Sequence, residues 1–297
     1  MPPAFTSLSN WFSDLDIANT DLDLYSKEIL EKYDLIVCDP QDKRNTIRQI
    51  LKDEPQLSKK TLWISCTSLP QEYEAHTSQP DIKPVNFNLH IQANRPLRCK
   101  VEKGPSLVQF AHQYCRNFFN IESAKFIPEL TPPDNLQHRK HKNRILIFPT
   151  TNRDKKNYST EGFNKLAKKL AKLGHHIEIA VTPEEADEFK LLYPEFNVIF
   201  FENLEGMFSY IYESGFVISN DSGSGHVASL LGISTVTIYK KYDEFEWRPG
   251  WKESFIARPR IRLKVAGKRI WKPFISHAKI IDHIKRNIHA EQETSIV

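Results

Sequence analysis

The stretch ISNDSGSGHVASLLG, which begins at residue 218, places an acid, hydroxyls, glycines and a histidine between two apolar segments. Asp221 and Ser222 offer a carboxylate and a hydroxyl where the first apolar run ends. Gly223 and Gly225 let the backbone approach an anion closely, and His226 follows on the first turn of the next helical pattern. These residue types in this order suit a site that holds an anionic group beside a hydroxylated one, as in a nucleotide sugar.

A second loop, FPTTNRDKKNYS at 148–159, carries a complementary set of side chains. Thr150 and Thr151 supply hydroxyls, and Lys155 and Lys156 supply cations just before a predicted helix. Positive side chains oppose the dipole at this end of a helix. Their position therefore indicates a bound anion.

Simpler interpretations exist for each loop taken alone. The Ser-Gly-Ser-Gly turn is compatible with a tight connection, and the lysine-rich loop with a solvated surface. The glycines match neither the G-x-G-x-x-G dinucleotide pattern nor the P-loop pattern, which disfavours hydride transfer and ATP hydrolysis. The combination of the two loops favours the binding site over both simpler interpretations.

Alternating strands and helices must position these loops. Apolar runs predict strands at 144–149, 176–181, 197–201, 215–220 and 234–239. Helices are predicted to follow four of them, one of which begins with a capping box at Thr182 and Glu185. Repeated strand–helix units with short connections predict a parallel sheet covered on both faces, so that both loops open at one sheet edge.

The length of 297 residues favours two domains. We predict an N-terminal domain over 1–134 and a nucleotide-sugar-binding domain over 135–297, joined by a proline-containing, basic linker at 128–144. In the first half, 33–40 and 61–66 have the composition of buried strands, and 103–120 contains an amphipathic helix pattern.

Composition narrows the class of protein further. The net charge of +4 is too small to demand nucleic acid by itself. The four cysteines are widely spaced and no histidine cluster has metal-ligand spacing, so we expect a reduced protein without a metal site or cofactor. We find no membrane-spanning run and expect a cytoplasmic location, with peripheral contact at the inner membrane as a further expectation.

Together the loops resemble the donor domain of glycosyltransferase family 9, which includes bacterial ADP-heptose:lipopolysaccharide heptosyltransferases. The stretch TTNRDKKNYSTEGF is similar to the family pattern T-T-x-x-x-K-x-W-x-x-E-x-W/F, with Tyr158 in place of the tryptophan. One residue is inserted, so Lys156 and Lys155 are rivals for the lysine that contacts the donor phosphates. The stretch at 218–239 resembles G-x-D-T-G-x-x-H-x-A-A-x-x-x-x-P-x-x-x-x-[FY]-G.

The resemblance implies a GT-B architecture with two Rossmann-like doubly wound α/β domains facing a cleft. It implies that Asp221 binds sugar hydroxyls, that Ser222 and Gly223 hold the diphosphate, and that His226 shapes the donor site. The implied reaction moves a heptose or hexose from a nucleotide-diphosphate sugar to a lipopolysaccharide or surface-glycolipid acceptor, with inversion and without a metal.

The chain departs from the family where the catalytic base belongs. The family uses an aspartate in a Gly-Asp motif after the first strand, and no Gly-Asp dipeptide occurs here. Candidate substitutes in the opening segment are Asp14, Asp16, Asp21 and Asp23. Lys240 replaces a family glycine. A nucleotide-sugar-binding protein without catalysis is therefore an alternative, and a nucleic-acid-binding α/β protein is a third that lacks a recognition motif.

The segment 258–272 contains seven lysines or arginines and no acid. Such a segment can meet anionic lipid headgroups or phosphorylated sugars. The alternation in RPRIRLKVA is equally typical of a strand with one wet and one buried face, and we expect that arrangement for most of the segment.

Overall fold

The computed structural model describes two compact units of the chain. Its described residues are 3–13, 27–38, 50, 53–65, 97–98, 106, 108–109, 112, 115–116, 121–123, 125–241, 247–252, 254–261, 263–265 and 267–293. The larger unit takes in 126–297 together with 7–15 and 106–109, and the smaller unit takes in 1–6, 16–105 and 110–125. The domain boundary between 134 and 135 stays a prediction, and the helix predicted within 103–120 lies mostly outside the described residues.

The smaller unit contains a parallel sheet of three short strands in the order β1-β2-β3. The elements are α1 (Lys27–Leu30), β1 (Ile36–Cys38), α2 (Pro55–Lys59), β2 (Thr61–Ser65) and β3 (Leu97–Arg98). Leu30, Ile36 and Leu57 are buried together in a small core. β1 and β2 confirm the two strands predicted in this half.

The larger unit is built on six parallel strands in the order β6-β5-β4-β7-β8-β9. The strands are β4 (His141–Phe148), β5 (His176–Val181), β6 (Asn197–Phe200), β7 (Ser214–Asn220), β8 (Ser234–Ile238) and β9 (Ser254–Ala257), followed by a two-stranded hairpin of β10 (Leu263–Val265) and β11 (Lys268–Ile270). The helices are α3 (Thr160–Lys172), α4 (Ala186–Leu192), α5 (Leu204–Tyr212), α6 (Gly223–Leu230) and α7 (His277–Glu293). The predicted strand–helix alternation is confirmed.

Helices cover both faces of this sheet. Ile145 and Ile147 of β4 share one core with apolar residues of α3, α4 and α7, whereas Leu146 is buried on the other face because side chains alternate along a strand. α6 contacts β7 and β8, and α5 contacts β7 and α6. The helix starts follow local signals: the Ser159 hydroxyl accepts from Gly162 N–H at 3.1 Å, and Glu185 accepts from Thr182 N–H at 3.0 Å in the predicted capping box.

Part of the segment predicted as a linker at 128–144 makes hydrogen bonds to other residues of the larger unit. Arg139 N–H donates to Tyr212 O at 2.9 Å, and His138 Nε2 lies 3.0 Å from Leu231 O. The last residues of the segment belong to β4, where Arg144 is buried. The linker prediction is therefore wrong for 141–144, which form the start of β4. Arg144 can be buried in a strand because its buried partners offset its charge, and the sequence pattern did not reveal them because they are distant in the chain.

Those partners form a buried polar cluster around Glu178. Arg144 Nε lies 3.9 Å from Glu178 Oε2, and Tyr210 donates its hydroxyl to the same oxygen at 2.7 Å. Burial acts to raise the pKa of Glu178, but hydrogen bonds from Tyr210, Asn197 and His176 and the charge of Arg144 outweigh it and lower the pKa. Burial and the bond to Glu178 raise the pKa of Tyr210 to about 12. The cluster lies at the amino ends of β4 and β5 and ties α5 to the sheet.

We expect Glu178→Gln to lower the free energy of unfolding at pH 7 by about 2 kcal/mol, since Arg144 loses its buried counterion. Because the pKa of Glu178 is lower in the folded than in the unfolded protein, the ionised carboxylate stabilises the native state at pH values above the unfolded pKa of about 4.3. This stabilisation is lost as the pH falls through the lower, folded pKa. The difference between wild type and variant should shrink as pH is lowered from 7 towards 3, measured by thermal unfolding. A difference that does not change with pH would contradict this account.

Candidate donor site

The candidate site lies at the carboxyl edge of the larger sheet. β4, β7 and β8 are neighbours and run parallel, so the segments that follow them emerge side by side. This arrangement brings the loop at 149–159 next to the turn at 220–226, as predicted. In open α/β sheets ligands bind at this edge, where helix N-termini also point.

Asn220 ties the two loops together. Its side chain is fully buried; Oδ1 accepts from Tyr158 N–H at 2.8 Å, and Nδ2 donates to Pro149 O at 2.6 Å. Both bonds fix the ends of the lysine-bearing loop against the tip of β7. Sequence reasoning missed this residue, although an amide at the end of a buried apolar strand was a detectable signal.

Lys156 and Asp221 meet across the two loops. Lys156 Nζ lies 2.5 Å from Asp221 Oδ2, and the two side chains are 29% and 16% exposed. Lys155 is exposed and points its backbone carbonyl at another lysine, Lys240, whose Nζ donates to it at 3.3 Å. Of the two rival lysines, the structure therefore brings Lys156 to Asp221.

Lys240 adds a cation that the sequence reasoning did not assign to the site. Burial lowers the pKa of Lys240, and the charges of Lys156, Lys241, Arg269 and Lys155 lower it further. A lysine whose pKa is depressed by neighbouring cations marks a region of positive potential. The residue was visible in sequence only as a replacement for glycine, because nothing local indicates that β8 ends beside the lysine loop.

The turn between β7 and α6 leaves backbone donors available. Ser222 occupies the N-cap position of α6, but its hydroxyl lies 2.8 Å from the hydroxyl of Ser224 and makes no capping bond to the backbone. Gly223 is exposed, and a Cβ placed on it would meet nothing within 4 Å. The first turn of α6 thus presents N–H groups and the positive end of the helix dipole to a bound anion.

The second glycine of this turn has a different role. A Cβ on Gly225 would lie 2.7 Å from Ser219 Oγ and 3.4 Å from Pro249 Cγ. Gly225 is buried, so its missing side chain lets α6 pack closely on the sheet. Only Gly223 faces open space at the site.

His226 lies on the first turn of α6, partly buried. Burial lowers its pKa, while the charge of Asp221 and a hydrogen bond to the backbone of Trp247 raise it and the charge of Lys156 lowers it. The net effect is a lowered pKa, so the imidazole is neutral at pH 7. The bond to Trp247 orients the ring beside Asp221.

The two threonines and the aromatic of the lysine loop contribute to its shape. Thr150 donates to Glu185 Oε2 at 3.1 Å, and Thr151 donates to Asn157 Oδ1 at 2.8 Å. Tyr158 is buried and packs edge-on against Phe163, with ring centroids 5.2 Å apart. The loop is therefore braced by one of its own side chains, by Glu185 of the next strand–helix turn and by Phe163 of α3.

No group of three or more histidine, cysteine, aspartate or glutamate side chains within metal-binding range occurs among the described residues. Within the same residues, no helix has the length and apolar character needed to cross a bilayer. Asp14, Asp16, Asp21 and Asp23 lie outside the described part of the chain.

The parallel α/β fold, with a lysine-bearing loop and a glycine-bearing turn at the carboxyl edge of one sheet, is that of GT-B glycosyltransferases. A family model described as "Glycosyltransferase family 9 (heptosyltransferase)" matches residues 89–261, more than half of the chain. The chain belongs to glycosyltransferase family 9 and is a glycosyltransferase.

Solved structures of this class share the fold. The Escherichia coli heptosyltransferase WaaC, solved with ADP, superposes with a TM-score of 0.57 at 15% identity and covers 96% of this chain and 88% of its own. WaaC solved with ADP-2-deoxy-2-fluoro heptose gives the same values. The E. coli ADP-heptose lps heptosyltransferase II gives 0.56 at 13% identity, covering 98% and 88%. A comparison with curated proteins finds no match.

Proposed function

We propose that this glycosyltransferase takes a heptose or hexose from an ADP-heptose-like nucleotide-diphosphate sugar and transfers it to a lipopolysaccharide or other surface-glycolipid hydroxyl. The observation that carries the proposal is the Lys156–Asp221 pair, which joins the lysine-bearing loop to the turn before the uncapped N-terminus of α6, with Lys240 bonded to the same loop. The structures of WaaC with ADP and with ADP-2-deoxy-2-fluoro heptose support the choice of nucleotide.

In this proposal the donor separates the two partners of the ion pair. Lys156 and the N–H groups at Gly223 take the diphosphate, since cations and helix N-termini bind phosphate oxygens. Asp221, whose oxygens only accept hydrogen bonds, takes the hydroxyls of the sugar. Lys240 extends the positive field along the diphosphate, and neutral His226 lines the sugar side. Each role follows from the charge and position of the residue in the site.

The proposed reaction inverts the anomeric carbon and needs no metal. The acceptor oxygen forms a bond to the anomeric carbon on the face opposite the diphosphate, and the bond from that carbon to the phosphate oxygen breaks with both electrons. Lys156, Lys240 and the α6 N-terminus stabilise the charge that develops on the leaving diphosphate. The acceptor proton passes to a carboxylate base, for which the aspartates at 14, 16, 21 and 23 are the candidates in the sequence.

A non-catalytic nucleotide-sugar-binding role is the second candidate. The observation that favours it is the absence of any Gly-Asp dipeptide from the sequence, because that motif supplies the base in the family that the chain resembles. The donor site would be retained under both functions. Turnover, and not donor binding, distinguishes them.

Calorimetric titration with ADP, ADP-sugar, UDP-sugar and GDP-sugar tests the donor assignment. We expect one sugar nucleotide to bind, and Asp221→Asn to weaken it by about tenfold through lost hydrogen bonds to sugar hydroxyls. The same variant should bind ADP alone as tightly as wild type or more tightly, because Lys156 is released from its partner. Absence of binding by every nucleotide at millimolar concentration would overturn the proposal. Release of nucleoside diphosphate with a glycolipid acceptor, resistant to EDTA, would separate catalysis from binding alone.

Two further expectations belong to this proposal. We expect the donor to bind within 135–297, because all eight candidate donor residues come after residue 149. The acceptor would then bind on the side of 1–134. A cytoplasmic enzyme at the inner membrane surface would meet both a soluble nucleotide sugar and a lipid-anchored acceptor. Fractionation of cells that express the full chain measures this location.

A further inference from the structure

The hairpin of β10 and β11 exposes an apolar face. Ile261, Leu263 and Val265 alternate along the chain and are 53%, 38% and 50% exposed. The register pairs Leu263 with Ile270 and Val265 with Lys268, so these positions share one face of the hairpin. The expectation of a strand with one wet and one buried face is therefore wrong here, because the apolar face is exposed as well.

Cations occupy the opposite face of the same hairpin. Lys264 is paired directly with Arg269 across the two strands, and both side chains are exposed. Like charges in directly opposed positions destabilise a strand pair unless an anion lies between or beside them. The segment at 258–272 contains no acid that could serve as this counterion.

A groove beside the hairpin continues the positive surface. It has a volume of about 850 Å³, and its lining includes Arg269, Lys165, Lys169 and Lys272. Its acidic lining residue, Glu161, lies 2.5 Å from Lys165 and is already paired. Burial lowers the pKa of His277 in the groove, and the charges of Lys169 and Lys165 lower it further. The groove therefore has a net positive potential.

We propose that the hairpin at 261–270 and this groove form a docking surface for an anionic phospholipid bilayer. Exposed aliphatic side chains on one face of the hairpin and cations on the other, with no acid in the segment, match a bilayer that the hairpin meets with its edge, because the outer layer of the bilayer is negative and its interior is apolar. Leu263 and its apolar neighbours enter the headgroup boundary, while Lys264, Arg269 and the groove lysines contact lipid phosphates. The inference rests on the membrane location given under the proposed function and assigns it to a particular surface, and its vesicle test requires neither donor binding nor turnover.

Sedimentation with lipid vesicles tests this surface on the full chain. Vesicles of phosphatidylcholine with phosphatidylglycerol should bind the wild-type protein, vesicles of phosphatidylcholine alone should bind it at least about tenfold more weakly, and added salt should release it. The triple variant Ile261→Ser, Leu263→Ser, Val265→Ser should lose at least about tenfold in binding to the anionic vesicles. Leu191→Ser, which alters a leucine 83% exposed on α4, is the matched control and should bind as wild type does.

A charge variant tests the second component separately. Lys264→Glu places a carboxylate opposite Arg269, which favours the hairpin while reversing one charge, and should weaken binding to anionic vesicles by about fivefold. Lys172→Glu at the exposed end of α3 is its control. Thermal unfolding and donor titration of all variants should match wild type, so failure at the membrane is distinguishable from failure of the donor site.

Three results would overturn the proposal. Equal binding to neutral and anionic vesicles would remove the electrostatic contact, and unaltered binding by the triple variant would remove the apolar one. Light scattering that shows a wild-type oligomer converted to monomers by the triple variant would assign the apolar face to a second copy of the chain.

Discussion

Lys156→Ala is expected to weaken binding of the sugar nucleotide by about 10- to 100-fold, the range for one lost hydrogen bond from a charged group. Lys156 is partly buried and directed at Asp221 on the floor of the candidate site. Its removal takes a cation from the diphosphate and leaves Asp221 without its counterion, so one attraction is lost and one unpaired carboxylate then repels the diphosphate. Calorimetric titration with wild-type and variant protein measures the loss.

Lys155→Ala is the matched control, since it removes the same type of side chain one residue away. Lys155 is exposed, and its backbone carbonyl, which remains in the variant, accepts the bond from Lys240. The expected loss is less than about threefold, the value for a distant, solvent-screened charge. A larger loss in Lys155→Ala than in Lys156→Ala would reverse the assignment of the two lysines. Neither change should lower stability by more than about 1 kcal/mol, because the pair is accessible to solvent.

Gly223→Ala is expected to abolish measurable donor binding and to leave the fold intact. The added methyl group meets no protein atom within 4 Å and points into the space in which we propose the diphosphate binds. Alanine also has the higher helix propensity at the start of α6, so the free energy of unfolding should stay constant or rise by up to about 1 kcal/mol. Titration and thermal unfolding of the same sample separate the two effects.

Gly225→Ala, two residues further on, is expected to lower stability, in contrast to Gly223→Ala. Its methyl group would lie 2.7 Å from Ser219 Oγ, inside the packed contact between α6 and the sheet. We expect a loss of about 1–3 kcal/mol in stability, the usual cost of overpacking. If Gly223→Ala destabilised the protein as much as Gly225→Ala, or bound donor normally, backbone approach at residue 223 would have no part in donor binding.

The amino-acid sequence predicted the elements of the larger unit because their signals are local. Alternating apolar runs gave the strands from β4 to β8 within three residues at their ends, and the Thr182–Glu185 capping box was predicted from two residues alone. Parallel strands with short connections can open only at one edge, so the proximity of the two loops also followed from the sequence. The family resemblance, confirmed by the match over 89–261, rests on the same two loops.

Partners that are distant in the chain were decided only by the tertiary structure. The choice between Lys156 and Lys155 depends on which side chain reaches Asp221. The two hydrogen bonds of the Asn220 side chain reach Tyr158 and Pro149, which lie 62 and 71 positions earlier in the chain. Lys240 reaches the site because β8 adjoins β7, which no local pattern records.

Dependence on distant residues also explains why the exposed apolar face of the hairpin at 261–270 was not predicted. Alternation along a strand defines two faces, but it does not say whether anything covers them, since the covering surface comes from elsewhere in the chain. The sequence by itself thus determined five of the six strands of the sheet, the helices that follow four of them and the edge at which ligands bind. The tertiary structure decided which side chains converge there and which apolar face stays exposed, because both depend on contacts between residues far apart in sequence.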